Sequence, residues 1–91
     1  MDENYYNILS LVKATLGYNS RVRDELLKVI IKSIIDELEI QKRISINFEN
    51  AEHLMFVVDY AVFRYENKGG GTIPRNLEYR LRNLIIKFGG A

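Results

Sequence analysis

Cysteine is absent from this 91-residue chain, which removes disulfide staples, thiolate metal sites and cysteine nucleophiles together. Stability must come from packing. Histidine occurs once, as His53, so a zinc site would have to draw all its other ligands from carboxylates, an unusual arrangement. Charge of one sign is also missing: 13 Lys and Arg oppose 12 Asp and Glu, and a formal net charge of +1 creates no whole-molecule field that would recruit nucleic acid or an anionic membrane. Long apolar runs are lacking. A stretch such as Leu54 to Val58 falls far below the roughly 20 residues of a membrane span. The start Met1, Asp2, Glu3, Asn4 lacks the basic and then apolar regions of a signal peptide. The expectation is a soluble intracellular protein with no membrane partner.

Hydrophobic residues make up 47% and charged residues 27% of the chain, a globular balance rather than that of a disordered segment. At this length the core is modest and a second domain does not fit, so residues 1–91 are expected to form one helical domain. Proline occurs only at Pro74, shortly after the sole glycine cluster, Gly69, Gly70 and Gly71, and together these form the strongest punctuation in the chain.

The fold class that follows is all-α, a small four-helix domain with a short extended connector between the second and third helices. Tyr5, Ile8, Leu9, Val12 and Leu16 recur at three- and four-residue steps, predicting a first helix from about Asn4 to Leu16 that Gly17 closes. A second is expected from an N-cap at Ser20 to about Lys42, with Leu27, Ile30, Ile31, Ile34 and Leu38 inward. Its other face carries Glu25, Lys28, Lys32, Asp36 and Glu39, with Asp24 and Lys28 in a favourable pairing order. From Arg43 to Glu49 the alternation of Ile44, Ile46 and Phe48 with polar residues has the period of a strand, read as the extended connector. Asn50 is placed to cap a third helix over Ala51 to about Asn67. Pro74 opens a fourth that runs to Gly89, with Leu77, Leu81, Leu84, Ile85 and Phe88 on its core face.

The third helix shows two apolar faces. Leu54, Val58, Ala61, Val62 and Tyr65 form a core stripe, while Phe56, Tyr60 and Phe63 form a second ridge at i, i+4, i+7. A helix apolar nearly all round is usually central, with others packed about it. The alternative is that the aromatic ridge meets another subunit, because aromatic residues concentrate at the buried centres of interfaces. On the fourth helix Arg75, Tyr79, Arg82 and Ile86 line the side away from the core face. The bland reading is a solvated surface; the other is an interface stripe, since arginine and tyrosine dominate interface hot spots. Phe56, Tyr60, Phe63, Arg75, Tyr79, Arg82 and Ile86 are therefore the candidate subunit-interface residues.

Catalytic, cofactor-binding and metal residues are not expected. Ser10, Ser20, Ser33 and Ser45 lie in no triad or nucleophile-elbow setting. Glu37, Glu39, Glu49, Glu52 and Asp59 are scattered. The three glycines before Thr72 lack the lysine of a phosphate-binding loop. Residues 68–91 hold Lys68, Arg75, Arg80, Arg82 and Lys87 against Glu78 alone, which supports the alternative of a small helical nucleic-acid-binding regulator.

The order of features carries a resemblance. A helix ending in Leu16-Gly17, then Arg23-Asp24-Glu25-Leu26-Leu27 opening a long helix, then Val58-Asp59-Tyr60-Ala61-Val62-Phe63-Arg64-Tyr65-Glu66-Asn67-Lys68-Gly69, then Ile73-Pro74 opening the last helix, is similar to the head-tail connector (adaptor) proteins of long-tailed bacteriophages. The resemblance covers nearly the whole chain, and its most specific part is the end of the third helix. It implies a non-enzymatic structural subunit of the virion at the head-tail junction, made in the host cytoplasm. Such a subunit forms a homo-oligomeric ring beneath the portal protein, meets stopper or completion proteins on the tail side, and lines an exit channel for DNA without reading its sequence. The chain departs from the family in its loop: only Gly70, Gly71 and Thr72 separate Gly69 from Ile73, where family members often carry a longer stretch.

Overall fold

The computed structural model describes residues 3–19, 21–67 and 72–88, the side chain of Phe88 excepted. Four α-helices account for most of them: α1 (Glu3–Leu16), α2 (Asp24–Asp36), α3 (Ala51–Glu66) and α4 (Arg75–Phe88). The described residues contain no β-strand. The domain is all-α.

Each boundary has a local cause. Gly17 adopts φ +78°, which a glycine takes without strain, and turns the chain so that Tyr18 N–H donates to the Lys13 carbonyl at 2.9 Å and Gly17 N–H to that of Ala14 at 3.3 Å. Those bonds satisfy carbonyls that α1 would otherwise leave open. They also deliver Tyr18 to the core, where its ring meets Tyr65 edge-on at 5.9 Å. Helix α2 opens at Asp24 with Arg23 in the capping position, later than the sequence suggests, and Ser20 lies outside the described residues. Asp24 pairs with Lys13 of α1 at 2.8 Å rather than with Lys28, which reaches Glu25 at 3.4 Å. A carboxylate at a helix N-terminus is favoured by the helix dipole, and here it also ties α1 to α2.

Beyond Asp36 the chain keeps turning but widens into a π-helical turn, Glu37–Gln41. Lys42 N–H donates to the Glu37 carbonyl five residues back at 3.0 Å, and Arg43, at φ +55°, redirects the backbone so that Ile44 enters the core. From there to α3 the inward and outward alternation is visible as burial: Ile44 is buried, Ile46 and Phe48 are half-buried, and Ser45, Asn47 and Glu49 are exposed. Asn50 caps α3 as expected, its Oδ1 accepting Glu52 N–H at 2.8 Å.

Helices α1, α2 and α3 all pack against one another, and among the described residues α4 packs on α3 alone. Helix α3 is thus central, which accounts for its two apolar faces. The core joins Ile8 and Val12 of α1, Leu27, Ile31 and Ile34 of α2, Leu38 of the π turn, Phe56, Val58 and Ala61 of α3, and Leu77 and Leu84 of α4. The expected core face of α4 is narrower than the sequence suggests. Leu81 is half-buried and Ile85 stays 38% exposed, because α3 covers only one side of the helix.

Candidate functional site

The aromatic ridge of α3 is consumed inside the chain. Phe56 is fully buried, its ring 5.5 Å from that of Tyr60, with the Arg80 guanidinium of α4 5.6 Å from its centre. Two ion pairs clamp α4 over it: Arg80 to Asp59 at 2.8 Å and Lys87 to Glu52 at 3.6 Å. Tyr60 is 8% exposed and its hydroxyl donates to Glu37 at 3.2 Å. Arg64 donates to the same hydroxyl at 3.0 Å and to Glu37 at 3.1 Å, and its guanidinium lies 4.8 Å from the Tyr60 ring centre. Burial, then the charge of Glu37, push the Tyr60 phenol above its ordinary range against the pull of Arg64, so it stays a donor at neutral pH. Phe63 is half-buried against the core. Phe56 and Tyr60 therefore correct the interface expectation: α4 and the π turn already cover them.

The stripe on α4 is placed differently. Arg75, Tyr79, Arg82 and Ile86 are all exposed, with Tyr79 at 65% and Ile86 at 75%, and among the described residues no second helix packs on α4 to cover them. Arg75, Tyr79 and Arg82 share a shallow depression with Glu78, which bonds Arg82 at 3.1 Å. The basic quarter of the chain is less basic than its sequence: Arg80, Arg82 and Lys87 each face a carboxylate at 2.8 to 3.6 Å, leaving Arg75 as the cation of α4 without an ion pair among the described residues. A phosphate backbone would meet compensated charge there.

No protein-family model, curated protein or solved structure matches the chain. Its function has to be argued from its own surface.

That surface includes one feature the sequence reading passed over. Leu26 and Val29 stand exposed on the outer side of α2, with Val22 just ahead of the helix and Ile40 in the π turn beyond it. Their spacing of three and four residues was a signal, obscured by the charged residues interleaved with them. Among the described residues no group of three His, Asp or Glu side chains converges to hold a metal ion, and no helix is long and apolar enough to cross a membrane.

His53 is a structural pin. It is 2% exposed, and its Nδ1 accepts Asn47 N–H at 2.9 Å, fastening the segment before α3 onto the helix. An accepting Nδ1 requires the tautomer protonated at Nε2. Burial lowers its pKa, with Glu52 opposing. The unfolded chain takes up the proton near the ordinary 6.5 and the folded chain only at lower pH. The unfolded state then binds more protons in that window, so stability is full above it and falls as pH drops through it. Urea midpoints between about pH 7.5 and about pH 5.5 should decline, and His53→Gln should flatten the decline. An equal slope in both proteins would remove His53 as its cause.

Proposed function

We propose that the chain is a structural connector subunit, a non-enzymatic protein that joins copies of itself and a portal ring at the head-tail junction of a long-tailed bacteriophage. One observation carries the reading. Among the described residues α4 packs on a single helix, and its uncovered side presents arginine, tyrosine and isoleucine at helical spacing. A chain of this size gains nothing for its own folding from a tyrosine and an isoleucine left in water, whereas these residue types anchor protein interfaces. The likeness of feature order to the connector family, from Leu16-Gly17 through the end of α3 to Ile73-Pro74, supplies the identity of the partner. A ring around passing DNA needs no base-reading element, in keeping with the compensated charge of α4.

Co-sedimentation with cognate portal rings tests this. The chain is expected to travel with the rings, and a Tyr79→Glu, Ile86→Glu double variant to lose at least tenfold in affinity while its urea midpoint hardly moves, because both positions are exposed. A chain that never associates with portal overturns the reading. Tight DNA binding that falls steeply with salt and vanishes on replacing Arg75 and Arg82 together would put a nucleic-acid role in its place.

A further inference from the structure

We propose that residues 45–49 form an acid-released strap: a proton taken up at His53 Nδ1 unseats them from α3 while the helices stay packed. The movement lies within one chain and is independent of what the chain assembles with.

Nδ1 of His53 accepts Asn47 N–H at 2.9 Å, and the residue is 2% exposed. An imidazolium carries N–H groups at both ring nitrogens and keeps no acceptor. A proton on Nδ1 therefore does more than cancel the bond, because it sets two donors against each other at a separation fitted to one hydrogen bond. Closed strap and charged ring exclude one another, so Asn47 leaves when the proton is held.

The charges around the ring do not rescue it. Glu52, its neighbour on α3, favours the charged form by less than burial opposes it, and its carboxylate is drawn to Lys87 of α4 at 3.6 Å. On the π turn Glu37 is engaged by Tyr60 and Arg64 of α3, and Glu39 is exposed. Lys42 and Arg43 ahead of the strap and Glu49 within it are exposed as well.

The strap is lightly held, which makes its release local. It hangs between Ile44, buried and bonded through its N–H to the Leu38 carbonyl at 2.9 Å, and Asn50, the cap of α3. Between these anchors Ser45, Asn47 and Glu49 are exposed, and Ile46 and Phe48 are half-buried. The turn within it joins Asn50 N–H to the Asn47 carbonyl and Glu49 N–H to Asn47 Oδ1, both at 3.0 Å, so it can lift as a unit. Helices α1, α2 and α3 pack on one another directly, and a segment so sparsely buried opens at far lower cost than they do. Once lifted, it turns Ile46 and Phe48 outward, an apolar edge that neutral pH keeps folded in.

The direction follows from linkage. His53 titrates near the ordinary 6.5 when the strap is open and below it when the strap is closed. Between those two values the open form binds one more proton, so the opening constant rises about tenfold for each pH unit of descent and is flat above the window.

Amide hydrogen exchange by NMR from about pH 7.5 to about pH 5, expressed as protection factors, tests this. Asn47 should lose about tenfold in protection per pH unit within the window. At every pH it should stay at least tenfold less protected than buried Ile31 of α2 and Val58 of α3, and hardly respond to low urea, because its opening exposes little surface. His53→Gln should abolish the pH dependence, and Glu52→Gln, which removes the charge favouring protonation, should move its onset to lower pH. Three results overturn the proposal: Asn47 protection that ignores pH, Asn47 protection equal to that of Ile31 and Val58 throughout, which leaves global unfolding as the only opening, or an unchanged slope in His53→Gln. Should His53→Gln fail to fold, an onset unmoved in Glu52→Gln overturns it instead.

Discussion

Phe56→Ala should destabilise the domain by about 3–5 kcal/mol, against about 5–15 kcal/mol for a whole native domain. The ring is fully buried where α3 meets α4 and leans on Tyr60, so truncation removes the transfer energy of a benzyl group and leaves a cavity. The walls cannot collapse freely, because Arg80 and Lys87 are tethered to Asp59 and Glu52 on either side. Helix α4 packs on no other helix in the described structure, so its hydrogen exchange should rise more than that of α1. Tyr79→Ala, on the outer side of the same helix, should change stability by no more than about 0.5 kcal/mol. Urea unfolding of the two variants separates a core aromatic from a surface one. Similar losses would mean that α4 is not seated as described.

That contrast marks how far the sequence could be read. The helices were legible because their signals are local: the three- and four-residue steps of Ile8 and Val12, the positive φ that Gly17 permits, the Asn50 side chain reaching Glu52 N–H. The centrality of α3 was legible too, as a helix with two apolar faces. What lay beyond reach was which neighbour covers the second face. Phe56 and Tyr79 are both aromatic residues on amphipathic helices, and only the docking of α4 on one side of α3 makes the first internal and leaves the second outside. The π turn was hidden for a related reason. A five-residue change of winding barely disturbs the apolar pattern, and it surfaces only in the fate of Leu38, buried at 1%, and Ile40, exposed at 72%. The Val22, Leu26 and Val29 stripe was legible in spacing, but the charges between its members drew the reading to themselves.

Arg64 closes a contact that no local pattern announces, since its partners Ser33 and Glu37 lie 31 and 27 residues away. The guanidinium gathers the Glu37 carboxylate, the Tyr60 hydroxyl and the Ser33 hydroxyl at 3.0 to 3.3 Å, at the place where α2 gives way to the π turn. A π turn is rarely stable on its own geometry, so the contact that fixes Glu37, its first residue, helps hold the change of winding. Removing Arg64 leaves a carboxylate only 23% exposed with the Tyr60 hydroxyl as its remaining donor. Because Arg64 is itself 32% exposed, water replaces part of what is lost, and Arg64→Ala should cost about 1–3 kcal/mol rather than the full penalty of a deeply buried pair. Arg64→Lys should recover little, since a single ammonium cannot present the planar fork that reaches three oxygens. A double-mutant cycle with Glu37→Gln should return a coupling of about 1 kcal/mol or more, read from urea midpoints. Additive losses would show that the two side chains are near each other without stabilising one another.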